Sequence, residues 1–128
     1  MALLDSVEDG ELRLGMQLTL RFAGAESNFA VALARLGVDV AWVSRLGRDS
    51  FGDLIEAGLA HEGVDLRWVT RDAAPTGLFC KWRNGGRSSV VYRRAGSAAS
   101  RLRPRDVPDE ALEGVGLVHL TGIRMAIS

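Results

Sequence analysis

The stretch Ala23-Gly24-Ala25-Glu26-Ser27-Asn28 holds the residues best suited to binding chemistry. A glycine such as Gly24 lets a ligand oxygen come close to the backbone. The turn leads into a predicted helix over 29–36, and the open N–H groups of a helix start favour polar or anionic ligands. Asn28 both donates and accepts, which suits the hydroxyls of a sugar. An equal alternative is that Asn28 only caps the helix. Metal and nucleophile chemistry has less support. His61 falls on a predicted helix and His119 in an apolar strand, each without a ligand partner at useful spacing. Cys80 is the single cysteine, so no intrachain disulfide or cysteine–zinc cluster can form, and it reads as a small packed hydrophobe. Neither a P-loop nor a G-x-G-x-x-G fingerprint occurs, although Gly47 and Gly52 flank a loop ahead of a helix.

Those residues need elements to hold them. Leu12, Leu14, Met16, Leu18, Leu20 and Phe22 alternate with other residues, which predicts strand over 12–22. Phe29, Leu33 and Leu36 share one face of the helix over 29–36, which Gly37 ends. Residues 38–44 form a short Val- and Trp-rich run, predicted as a buried strand. Ser50-Phe51-Gly52-Asp53 fits a capping box, followed by Leu54, Ile55 and Leu59 at helical spacing and by Gly63. This alternation predicts an α/β unit with a parallel sheet. The pattern then changes. Residues 66–70, 76–83 and 88–94 read as strands, with Asn84-Gly85-Gly86 as a hairpin turn, so an antiparallel insertion is expected. A short helix over 109–113 and an apolar strand over 116–120 follow.

The composition is that of one soluble domain: 128 residues, 47% hydrophobic and 25% charged. Sixteen basic and sixteen acidic side chains cancel, so net charge gives no pull towards nucleic acid or a membrane surface. The basic residues nevertheless cluster. Lys81, Arg83, Arg87, Arg93, Arg94, Arg101, Arg103 and Arg105 have no acid among them. Lys81 is the only lysine, so arginine is a habit of the whole chain, and edge-strand protection is one use for the cluster. Nucleic-acid binding through it is the weakest functional reading. Asp5, Glu8, Asp9 and Glu11 give the start no signal-peptide character, and no uncharged run approaches the ~20 residues of a membrane span. A soluble, cytoplasmic protein is expected.

One combination is more specific. The run from Ala23 to Ala30, then Leu36-Gly37, then Gly47-Arg48-Asp49-Ser50-Phe51-Gly52, resembles the N-terminal signature of the ribokinase-like (PfkB) carbohydrate kinases. Glu62-Gly63-Val64-Asp65 and Pro75-Thr76-Gly77 stand where that family has similar residues. Tyr92-Arg93-Arg94-Ala95-Gly96-Ser97-Ala98-Ala99-Ser100 and His119-Leu120-Thr121-Gly122-Ile123 resemble its 2-keto-3-deoxygluconate kinase branch. The resemblance covers nearly the whole chain.

It implies a partial three-layer α/β sheet of ribokinase type with a small antiparallel β lid. The lid strands would lie near 12–22 and 66–94, and the sugar would bind between sheet and lid. It implies ATP-dependent phosphorylation of a sugar or sugar acid, foremost 2-keto-3-deoxygluconate. By position, Gly24 and Asn28 match sugar-hydroxyl contacts, while Tyr92 and Arg94 match residues that hold the sugar acid. Phe79 stands where the branch has a Tyr, which leaves an apolar contact. Arg93 replaces an aromatic beside Tyr92. The resemblance also implies a homodimer paired through the lid, with ATP and Mg2+ bound by a later G-x-G-D region. No G-x-G-D occurs in residues 1–128, so no catalytic or cofactor residue is expected in this chain. The chain alone is expected to be inactive and marginally folded. Alternatives are a kinase of a neutral sugar such as fructose or ribose, and a non-catalytic sugar-binding or dimerisation module ending at residue 128.

Overall fold

A computed structural model describes residues 1–121. The chain forms a mixed α/β structure with β1 (Ala2–Asp9), β2 (Leu18–Phe22), α1 (Ala25–Arg35), β3 (Ser44–Gly47), α2 (Ser50–His61), β4 (Val69–Asp72), β5 (Leu78–Asn84) and β6 (Arg87–Arg93). Three short 3₁₀ turns follow, Ala99–Arg101, Pro104–Asp106 and Asp109–Ala111.

The α/β unit is assembled around a small core. Ala30 of α1, Leu46 of β3, Ile55 and Leu59 of α2, and Val64 are buried together, with Phe22, Trp42, Leu66 and Val69 packed around them. Full burial of Ile55 and Leu59 is worth about 1.5–3 kcal/mol each. β3 and β4 are connected through α2 and pair side by side in parallel, with Ser44 opposite Val69 and Gly47 opposite Asp72. The predicted run 38–44 is extended and joins this pair through a parallel bridge between Ala41 and Asp65, while the regular strand begins only at Ser44.

The second sheet has the order β2-β1-β5-β6. β1 pairs antiparallel with β2 and parallel with β5, and β5 pairs antiparallel with β6. Asn84 faces Arg87, so Gly85-Gly86 forms the predicted hairpin turn, with φ of 56° and 80°. Positive φ at both central residues is the geometry whose twist matches the flanking strands. Strand register sorts the side chains into two faces. Arg21, Leu3, Phe79 and Tyr92 form one row across the sheet, and Leu20, Leu4, Cys80 and Val91 form the neighbouring row on the opposite face.

Several sequence expectations change. The alternating run 12–22 is a strand only from Leu18; Leu12 and Leu14 ahead of it are exposed, so the alternation there covers no apolar surface. The long strand at the start is Ala2–Asp9 instead. The strand expected at 66–70 starts at Val69 and joins β3 in parallel, so the antiparallel ribbon consists of β1-β2 and β5-β6 contacts without β4. α1 starts at Ala25 rather than Phe29, and Asp49 caps α2 in place of Ser50, its side chain accepting from the Gly52 N–H at 2.8 Å. The expected helix at 109–113 is one 3₁₀ turn. Residues 116–120 are not a strand: Leu117 and Leu120 are 73% and 71% exposed, with no ladder partner among the described residues.

The link between the two sheets is a tight polar junction. The Asp49 carboxylate accepts from the N–H of Gly52 and, at 2.7 Å, from the N–H of Thr76. The Thr76 hydroxyl in turn accepts from the N–H of Gly47 at 2.9 Å, and Arg71 donates to the Gly47 carbonyl. Thr76 precedes β5, so this junction fixes where β5 leaves the α/β unit.

Candidate functional site

A cavity of about 300 Å³ opens where the start of α1, β3 and the β5–β6 ribbon meet. Gly24 is the N-cap of α1, with extended backbone. An alanine Cβ there would lie 3.0 Å from Ser27 Oγ, so bulk at this position presses on the helix start. The Ser27 hydroxyl donates to the Gly24 carbonyl at 3.1 Å, and the Asn28 N–H donates to the same carbonyl at 2.8 Å. With Gly24 as the cap, Asn28 lies one turn inside the helix. Its exposed side chain is therefore not the helix cap, and that alternative falls. The first-turn N–H groups have no acceptor one turn back within α1, which leaves donors at the cavity.

The opposite wall comes from the ribbon. Phe79 and Tyr92 are cross-strand partners, and their rings stack with centroids 5.4 Å apart. The Arg94 guanidinium carbon lies 4.6 Å from the Tyr92 ring centroid. A cation over an aromatic face at this distance is attracted and held in place. Arg94 forms no ion pair among the described residues, so its charge remains available. Gly24, Asn28, Phe79, Tyr92 and Arg94 all line this one cavity. The five sequence-predicted residues come from segments far apart in the chain and converge on one space.

Sequence reasoning missed other lining residues, among them Arg45, Thr76 and Ser97. Arg45 extends from β3 and donates to Asp72 at 2.8 Å and to Asp106 at 2.5 Å. No sequence signal marks it, because its partners stand 27 and 61 residues away. Glu26 also lines the cavity, but its carboxylate accepts from the Thr121 hydroxyl. Elsewhere, His119 stacks on Phe29 with centroids 3.8 Å apart, and His61 sits exposed at the end of α2. Among the described residues no group of three or more His, Cys, Asp or Glu side chains could hold a metal.

Three carboxylates near the cavity are held below their ordinary range. For Asp106 the main cause is the hydrogen bond from Arg45. For Asp72 it is the Ala74 N–H, aided by Arg45 and opposed by burial. At Asp49 burial pushes the carboxyl up, but donation from Thr76 and Gly52 together outweighs it. A depressed folded-state pKa contributes stability above the unfolded value and loses it as pH falls through the folded value. These three groups therefore contribute stability that is lost at acid pH, and the melting temperature is expected to fall as pH drops below about 4. Thermal melts at stepped pH check this; a Tm unchanged down to about pH 2.5 would count against these pairings.

These features define an α/β protein with a cavity beside the β5–β6 hairpin, its lining mostly apolar with Asn28, Arg45 and Arg94 among the polar groups. The chain belongs to the pfkB family of carbohydrate kinases, whose family model matches residues 1–127. It is 40% identical over 131 aligned residues to the 2-dehydro-3-deoxygluconokinase of Bacillus subtilis, covering 100% of this chain and 40% of that protein. It is 38% identical to the enzyme of the same name from Thermoproteus tenax, covering 98% of this chain and 40% of that one. Among solved structures, a PfkB protein from Polaromonas sp. JS666 is 42% identical with a TM-score of 0.82, covering 88% of this chain and 38% of its own. An uncharacterized sugar kinase from Pyrococcus horikoshii, in complex with ATP, is 29% identical with a TM-score of 0.81, covering 89% of this chain and 38% of its own. The fold is thus the ribokinase-like α/β architecture with a partial sheet, and the chain spans about 40% of the length of these curated relatives. No helix among the described residues is long and apolar enough to cross a membrane.

Proposed function

We infer that this chain supplies the sugar-binding half of a kinase that phosphorylates a sugar acid, foremost 2-keto-3-deoxygluconate, at the expense of ATP. The observation that carries this is the convergence of Gly24, Asn28, Phe79, Tyr92 and Arg94 on one cavity, with Arg94 carrying no carboxylate partner. Gly24 and Asn28 take sugar hydroxyls at the start of α1. Arg94, steadied on Tyr92, pairs with the substrate carboxylate, for which a guanidinium offers a planar fork of donors. Phe79 gives an apolar contact beside it. The naming of the Bacillus and Thermoproteus relatives supports the acid over a neutral sugar.

ATP and Mg2+ belong to this reading through the family and the ATP-bound Pyrococcus relative. They would supply the transferring phosphoryl group and its charge neutralisation. The residues of this chain bind and orient the acceptor sugar, and the β1-β2 and β5-β6 ribbon acts as a lid that excludes water when it closes. The opposite face of that ribbon, with Leu18, Leu20 and Val91 partly exposed, pairs with a second copy of the chain on this reading. A kinase of a soluble metabolite works in the cytoplasm.

The test is a substrate panel with an enzyme containing this segment, ATP and Mg2+. Phosphorylation of 2-keto-3-deoxygluconate should exceed that of fructose and ribose by about a hundredfold in kcat/KM, the size of one charge-assisted contact. Equal or greater turnover of a neutral sugar would overturn the assignment.

A further inference from the structure

Residues 97–106 supply part of the cavity wall through Ser97, Ala99 and Leu102, and Ser97 and Ala98 at the start of the segment are buried. The Ala98 N–H donates to the Pro75 carbonyl at 2.8 Å, which fixes one end. Beyond it, Ala99 and Leu102 line the cavity, and the segment then turns through Pro104–Asp106. Arg45 reaches this far end from β3, donating through one terminal nitrogen to Asp106 and through the other to Asp72 on β4. We propose that Arg45 is a positioning residue that clamps residues 97–106 over the sugar cavity, and so sets how tightly the cavity holds its ligand. The ligand side of this proposal rests on the sugar-acid reading above.

The geometry gives the clamp both reach and rigidity. Arg45 ties its own strand and the neighbouring β4 to the segment around Asp106, with partners 27 and 61 residues away in sequence. A guanidinium can face two carboxylates on different elements in one fixed plane, which an ammonium cannot do. All three side chains are largely enclosed, at 20%, 12% and 9% exposure for Arg45, Asp72 and Asp106, so solvent screens the pairs weakly. The partners are themselves tied down. Asp72 accepts from the Ala74 N–H at 2.8 Å, and Asp106 accepts from the Arg103 N–H at 2.6 Å. Arg101 adds a looser contact to Asp72 at 3.4 Å.

Stability alone is a poor account of this arrangement. The Arg45 Nε is buried without a partner among the described residues, and enclosing a charge with an unpaired donor works against folding. What the pairs do supply is a fixed distance between β3, which lines one side of the cavity, and the segment that lines another. Arg94 stands just ahead of that segment, and the Ser97 N–H donates to the Arg94 carbonyl at 3.1 Å. A loosened wall would therefore act on ligand grip before it acts on the chemistry of transfer.

Amide hydrogen exchange on this chain, wild type against Arg45→Met, tests the clamp directly. The N–H groups of Leu102, Asp106 and Val107 bond to carbonyls within the same segment and report on its order. They should exchange about tenfold faster in the variant, with α2 unchanged. Arg45→Lys should recover little of the protection, and Asp106→Asn, which keeps shape and an acceptor, should fall between. In an enzyme containing this segment, Arg45→Met should raise KM for the sugar acid about tenfold while kcat stays within about twofold. Unchanged exchange at those amides, equal acceleration in α2, or a fall in kcat at constant KM would overturn the proposal. If Arg45→Met does not fold, Asp106→Asn is read by the same criteria. If the wild type takes no sugar acid, the functional reading fails, and the exchange result still decides the clamp.

Discussion

The Gly52→Ala variant is expected to melt roughly 10 °C or more below the wild type, and Gly47→Ala to fall by a similar amount. The reason is local crowding at the junction of the two sheets. A Cβ on Gly52 would run into the Gly47 carbonyl oxygen, and it would lie 2.5 Å from an Arg71 nitrogen and 3.1 Å from Thr76 Oγ1. A Cβ on Gly47 would run into the Asp49 carboxylate, 2.6 Å from the Thr76 nitrogen and 2.9 Å from the Ala74 carbonyl oxygen. Most of these atoms are backbone or are held by the Asp49–Thr76 hydrogen bonds, so they cannot swing aside. Overpacking of this kind costs about 3 kcal/mol, a large share of the ~5–15 kcal/mol that holds a domain folded. Gly116→Ala is the control. Nothing lies within 4 Å of its Cβ position, so its melt should match the wild type. Calorimetric or optical melts of the three variants decide the matter, and equal Tm values across all of them would refute the crowding account.

The second large effect concerns ligand choice. Arg94→Ala in an enzyme containing this segment should lower kcat/KM for the sugar acid about a hundredfold, corresponding to roughly 1.5–3 kcal/mol for a hydrogen bond to a charged group. Neutral sugars should change by only a few-fold. Arg94 is the side chain for this role because the other cavity arginine is already matched: Arg45 faces both Asp72 and Asp106. Tyr92→Phe keeps the ring beneath the guanidinium and should preserve most of the acid preference, whereas Tyr92→Ala removes the platform and should erode it. An Arg94→Ala enzyme with its acid preference intact would refute the assigned role.

Local chemistry made parts of this molecule readable from its residues. The β5–β6 hairpin was legible because Asn84-Gly85-Gly86 dictates its own turn. α2 was legible because Leu54, Ile55 and Leu59 set a helical period, although its start lies at Asp49 rather than Ser50. β1 was not, because Ala2–Asp9 has no clean alternation and is held by a neighbour more than 70 residues later. Residues 12–17 show the reverse error: alternation without a surface to cover leaves Leu14 in solvent. In the site, Gly24, Asn28, Tyr92 and Arg94 stood out through residue type and family likeness. Arg45 did not, since fifteen arginines conceal one with a special position, and its meaning lies in partners that only folding brings near.

The parallel contact between β1 and β5 also bears on how the chain is made. Ala2 finds its inner neighbour only at Leu78. At roughly 5–20 residues per second of synthesis, β1 and β2 leave the ribosome several seconds before that neighbour exists. The whole α/β unit emerges and can settle in the interval, so the sheet closes late, around a piece already formed. Non-local pairing of this kind slows folding, and during the wait the inner edge of β1 is an open template for another strand. The same strand that completes the ribbon over the cavity thus makes the newborn chain most dependent on protection from its neighbours.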